Sequence, residues 1–127
     1  MDTVLGDRTW GIFWPHIALA YAHAAAPAAP IGALLRNYGY DAATVAAQAG
    51  AFADGMRRAG VMPTFKHFPG LGRTTENTDD AAGVVDAVID ARSPDVEVYR
   101  DLLADGPAIV MVSLATYQGI DPAAPAV

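Results

Sequence analysis

Lys66-His67-Phe68-Pro69-Gly70-Leu71-Gly72-Arg73-Thr74-Thr75-Glu76-Asn77-Thr78-Asp79 is the stretch on which the reading of this chain turns. An apolar run from Val61 to Phe65 stands before it and predicts a short buried strand. Pro63 is an awkward member of that strand, because it has no N–H to give to a ladder. The stretch itself gathers cationic and titratable side chains, a Pro-Gly turn, a second Gly and two acids into one predicted loop. Strands that end in charged residues and glycine-rich loops are how α/β barrels and open α/β sheets build sites. A surface loop with solvated charges and glycine turns is the plainer alternative, and the residue types alone leave both open.

The flanks alternate between helical and strand patterns. Asp41 is placed to cap a helix whose apolar stripe is Val45, Ala49, Phe52, Met56 and Ala59. Arg57 and Arg58 suit the negative end of its dipole, and Gly60 supplies the stop. Ala81 to Ala91 is apolar with an acid every few residues and is ambiguous between helix and strand. Ser93-Pro94 predicts a cap and a first-turn proline for a helix running to Asp105, burying Val96, Tyr99, Leu102 and Leu103. Gly106-Pro107 ends it. Ala108 to Leu114 is an almost unbroken apolar strand of the kind buried on both faces of a parallel sheet. Helix, strand, helix, strand with short connections means α/β. Asp121 to Val127 is a Pro- and Ala-rich loop or tail that suggests no chemistry.

Lys66 to Gly72 resembles the Lys-His-Phe-Pro-Gly-His-Gly signature of glycoside hydrolase family 3, in particular its β-N-acetylhexosaminidase branch. Pro30-Ile31-Gly32 through Arg36-Asn37-Tyr38-Gly39 is similar to the family's upstream loop, Asp41 to Gly60 to the helix after it, and Ala108 to Ser113 to the next strand. Asp121-Pro122 is similar to that strand's exit loop. The resemblance covers residues 30–127 and implies parallel strands of a (β/α)8 TIM barrel. A whole barrel takes roughly 200 residues or more, so the 127 here predict an incomplete barrel fragment. The family's nucleophilic Asp lies further along than the resemblance reaches. Residues 1–29 read as an irregular or divergent N-terminal segment.

Function classes narrow on composition. A net charge of −6 argues against nucleic acid or an anionic membrane as partner. With no Cys, disulfides and thiolate metal sites are excluded. Gly11 to Ala29 is apolar enough to be mistaken for a signal peptide, but Asp2 and Asp7 outweigh Arg8 where a basic segment is expected. Pro15, His16 and His23 make the same run a poor membrane span. Two lone histidines do not make a zinc site, which takes three or four ligands. No cofactor or metal is expected, and the compartment stays open. Part of a barrel exposes strand edges, which predicts self-association.

Cleaving a glycoside with retention takes a nucleophile and an acid, with sugar hydroxyls held firmly enough to distort the ring. In the family, an Arg and the signature's Lys and His grip the sugar. By resemblance these roles fall on Arg36, Lys66 and His67, and the partner implied is an N-acetylglucosamine-containing glycan. Guanidinium and ammonium groups donate to hydroxyl or acyl oxygens, and an imidazole both donates and accepts. The family's hexosaminidase branch carries Asp-Ser-His thirteen residues after the Lys, with the His as acid/base. Here that place holds Asn77-Thr78-Asp79, and Leu71 replaces the signature's second His. Asp79 is the candidate acid/base. A carboxyl does such work when neighbours raise its pKa, and Glu76 and Asp80 are close in sequence. The alternative is that Asp79 only caps the next segment. Two classes remain: a glycosidase hydrolysing O-glycosyl bonds, and an inactive or structural piece of a split barrel.

Overall fold

The computed structural model describes residues 30–127. The expectations for residues 1–29, His16 and His23 among them, lie outside the described residues. The elements in order are α1 (Pro30–Ala33), α2 (Ala42–Arg58), β1 (Thr64–Phe68), β2 (Val85–Asp90), α3 (Pro94–Ala104), β3 (Ile109–Val112) and β4 (Thr116–Gly119). β1 pairs with β3 and β2 with β4, both parallel, giving two small sheets interleaved along the chain.

Asp41 caps α2: its carboxylate accepts from the Thr44 N–H at 2.8 Å and from the Thr44 hydroxyl at 2.7 Å. These bonds hold its carboxyl below the usual range. The buried stripe is Val45, Ala49, Ala53 and Met56. Phe52, expected inside, is 39% exposed, and Ala59 is exposed too. A spacing of four, four and three selects Ala53, and Phe52 leans on the ring of Tyr38 instead, centroids 6.2 Å apart. Gly60 follows at φ +76. Arg57 does more than meet the dipole. Its Nε donates to Pro107 O and its Nη2 to Gly106 O, both at 3.0 Å, tying the end of α2 to the exit of α3.

α3 begins at Pro94 behind Ser93, but Ser93 Oγ makes no bond to the helix. It accepts from the Asp90 N–H and so closes the turn from β2. Val98, Tyr99 and Leu102 are buried with Asp95, whereas Leu103 faces outward at 41% exposed. The main core joins Val45, Ala49, Ala53 and Met56 of α2 to Phe65 of β1 and to Val98, Tyr99 and Leu102 of α3. A second core holds Ile31, Leu71, Val84, Ile89, Ala115 and Tyr117.

Two strand limits differ from the reading of the sequence. β1 runs 64–68 rather than 61–65, so Lys66 and His67 lie in the strand and not in a loop after it. Hydrophobicity pointed to Val61–Phe65, whereas the ladder opposes Thr64 to Ile109 and Phe68 to Val112. The ambiguous segment 81–91 resolves as β2, which carries a buried aspartate, Asp86. β3 is shorter than expected, 109–112, and three of its four residues are exposed.

Candidate functional site

Near the end of β1, Lys66 opposes Met111 and Phe68 opposes Val112, and the register shifts between them, at His67. The Lys66–His67 and Phe68–Pro69 peptide bonds are cis. Ser113 N–H donates to Phe68 O at 2.8 Å, which sets the segment after β3 at the same carboxyl end of the sheet. Such ends are where α/β folds build sites.

Arg36 arrives from the other side of the chain. After α1, Leu35 takes φ +53, the Leu35 N–H bonds Gly32 O, and the Arg36 N–H bonds Ile31 O. This is a Schellman turn with leucine where glycine is usual. The left-handed backbone costs a leucine roughly 1–2 kcal/mol. The residue so aimed is Arg36, whose Nη1 lies 3.4 Å from Asp79 Oδ2.

Asp79 sits on a compact turn. Asn77 Oδ1 accepts from the Asp79 N–H at 3.1 Å, and Asn77 Nδ2 donates to Asp80 Oδ2 at 2.9 Å. Asn77 O accepts from the N–H groups of Asp80 and Ala81. Asn77 thus orients the turn that carries Asp79, and Asp80's carboxylate is turned towards Asn77. The Asp79 side chain is 64% exposed. An open cavity of about 450 Å³ lies against this turn, lined by Thr78 to Gly83 and by Leu114. Of the four singled-out residues, only Asp79 lines it. A second, largely apolar cavity of about 340 Å³ is lined by Phe68, Pro69, Val112, Tyr117 and Ile120.

Burial and neighbouring charge both act on Lys66 and His67. Burial lowers the Lys66 pKa, the Arg36 charge lowers it further, and Asp79 opposes both. Burial pushes His67 down to about 4, helped by Lys66 and, less, by Arg36, with Asp79 opposing. At neutral pH the imidazole is uncharged, so it can both donate and accept. Asp79 is the one carboxylate whose charge acts on either group, among the described residues.

Beneath these groups lies polar structure that the sequence did not reveal. Pro69, Gly70, Leu71, Gly72 and Thr74 are buried, so the first half of the expected surface loop is a packed floor. Arg73 Nη2 pairs with Asp95, a carboxylate only 2% exposed, at 3.3 Å. Tyr117 O–H donates to Gly70 O at 2.5 Å, and burial pushes its pKa up to about 12. Asp86 Oδ1 accepts from the N–H groups of Val88 and Ile89. A lone acid inside an apolar run, as at Asp86, was the available signal. Asp95 gave none, because its partner is 22 residues away. No group of three or more metal-ligating side chains is gathered among the described residues. No described helix is long and apolar enough to cross a membrane.

Comparison with known proteins fits this geometry. The N-terminal domain of glycosyl hydrolase family 3 matches residues 14–127. The β-hexosaminidase LpqI of Mycobacterium tuberculosis is 40% identical over 91 residues, which are 72% of this chain and 24% of that protein. The chain thus spans about a quarter of the length of that curated relative. The crystal structure of a β-N-acetylhexosaminidase from Beutenbergia cavernae superposes with a TM-score of 0.81 at 44% identity, covering 97% of this chain and 40% of that one. A family 3 β-N-acetylglucosaminidase from a Paenibacillus species gives 0.75 at 28%, over 86% of this chain and 21% of that one. The parallel strands and their helices are a portion of a (β/α)8 barrel. This chain belongs to glycosyl hydrolase family 3, within the family's N-terminal domain.

Proposed function

We propose that this chain supplies the sugar-gripping side of a glycosidase site for β-linked N-acetylglucosamine units. Arg36, Lys66 and His67 hold hydroxyl and acetamido oxygens. Asp79 handles the proton at the leaving oxygen. The carrying observation is the Arg36–Asp79 pair set within the shared field of Lys66 and His67, at the carboxyl end of parallel strands. A neutral imidazole beside two cations is suited to polar, uncharged sugar groups. An exposed carboxylate on a surface turn is suited to approach and withdraw.

The test is titration of the chain with N-acetylglucosamine, followed by nuclear magnetic resonance. Lys66→Ala is expected to weaken binding by about tenfold or more, because hydrogen bonds to charged donors contribute roughly 1.5–3 kcal/mol. Arg58→Ala, whose partner Asp54 lies on the same helix, is expected to change nothing. Equal binding by wild type and Lys66→Ala would refute the assignment.

A second reading, a piece that associates with other chains, rests on exposed apolar strand residues. Ile109, Met111, Val112 and Leu114 lie along and after β3, and Val85 and Val88 on β2. Open edges with such side chains invite pairing. In sizing chromatography the 13.2 kDa chain is expected to elute as a larger species. A sharp monomer peak with a cooperative thermal transition would contradict it.

A further inference from the structure

We propose that Tyr117 of β4 and Asp95 of α3 are positioning residues for Lys66 and His67, acting through the buried floor at residues 68–74. The inference rests on the sugar-holding role proposed for that pair.

Three carbonyls of the floor are held by hydrogen bonds, two of them from distant parts of the chain. Phe68 O accepts from the Ser113 N–H, Gly70 O from the Tyr117 hydroxyl, and Leu71 O from the Thr74 hydroxyl. Arg73 reaches Asp95. The Tyr117 ring packs in the second core with Leu71, so one side chain holds the floor by contact and by hydrogen bond. Backbone fixed from Phe68 onward leaves the end of β1 no freedom to swing, and Lys66 and His67 are the residues just before it.

Asp95 stands in the first turn of α3, where the helix dipole favours an acid, yet it is buried and only partly satisfied. One carboxylate oxygen meets Arg73, while Oδ1 is buried with no hydrogen-bond partner among the described residues. A buried carboxylate half satisfied is a cost, and apolar residues of similar volume often serve stability better. What the pair does provide is a fixed distance between α3 and the floor. The Tyr117 hydroxyl, also buried, bonds Gly70 O just past Lys66 and His67 and meets the side chain of Ser113 as well, so it joins the floor to the segment after β3.

The His67 environment reports position independently of any sugar. Its titration is held near 4 by burial and by Lys66, with Arg36 and Asp79 also acting on it. The experiment uses the whole chain, with the His67 ring signal assigned by comparison with His67→Gln. Tyr117→Phe removes only the hydroxyl. Arg73→Gln/Asp95→Asn replaces the ion pair by neutral groups of similar size, so the fold survives should Asp95→Asn alone unfold it. Both variants, folded by circular dichroism, are expected to move the His67 midpoint upward from about 4 towards its ordinary 6.5. Both are also expected to weaken N-acetylglucosamine binding by roughly three- to tenfold, the effect of about one hydrogen bond. An unchanged midpoint in both folded variants overturns the proposal. If the midpoint moves while even the wild-type chain binds no sugar, positioning is upheld and the proposed function fails.

Discussion

Offered an aryl N-acetyl-β-glucosaminide, the 127-residue polypeptide is expected to release no aglycone above the uncatalysed rate. Retaining hydrolysis takes two carboxyl-type groups, an acid and a nucleophile roughly 5–5.5 Å apart. Among the described residues one carboxylate, Asp79, acts on Lys66 and His67. The two buried acids among the described residues, Asp86 and Asp95, have other engagements: Asp86 accepts backbone N–H groups and Asp95 meets Arg73. A site with sugar-holding groups and an acid but no nucleophile keeps binding and loses the chemical step, a loss of roughly 10⁴- to 10⁶-fold where such units have been deleted. The measurement is release of the aryl group by purified chain, with Lys66→Ala as control. Turnover that disappears in Lys66→Ala would show that a second carboxyl group reaches the sugar, and the account of Asp79 would need replacing.

Phe65→Ala is expected to cost about 3–5 kcal/mol. Phe65 is fully buried where β1 meets both long helices, in contact with the cluster of Met56, Val98, Tyr99 and Leu102. Whole domains are stable by roughly 5–15 kcal/mol, so a substantial share of the margin goes with one ring. Thermal or urea unfolding reads the loss. Phe52→Ala is the paired control, expected to cost about 1 kcal/mol or less, because that ring is 39% exposed and leans only on Tyr38. Equal losses in the two variants would mean that β1 does not seat on the α2–α3 pair as described.

The contrast between Phe65 and Phe52 shows what the sequence made legible. Helix α2 was readable because its signals are local: Asp41 at one end, Gly60 at the other, a period near 3.6 between. Its buried face was misjudged at two positions: an aromatic is a stronger apolar signal than an alanine, yet Ala53 has the angle and Phe52 does not, and Ala59 falls at the cap beyond the last buried turn. β1 was displaced by three residues for a different reason. Hydrophobicity marks where a strand is buried, and this strand continues past its apolar run into Lys66 and His67, polar residues that carry no such mark. The candidate residues Arg36, Lys66, His67 and Asp79 came from family resemblance, and the structure sets Arg36 Nη1 3.4 Å from Asp79 Oδ2. The floor was not legible, because Gly70 with Tyr117 and Arg73 with Asp95 are pairs 47 and 22 residues apart, and one sequence carries no trace of such meetings.

The division of residues 66–79 into a buried half and an exposed half has an evolutionary consequence. Residues 69–72 and 74 are buried, and the segment is bonded to Ser113, Tyr117 and, through Arg73, Asp95, so a change there is felt at those positions. Residues 75–80 carry few such obligations: Thr75, Glu76, Asp79 and Asp80 are exposed, and the turn's own asparagine organises it. Lengthening a surface loop costs little, about 0.6 kcal/mol for each doubling. Residues 75–83 therefore form an interchangeable cassette, and a relative's loop grafted between Thr74 and Val84 would inherit a ready-made floor.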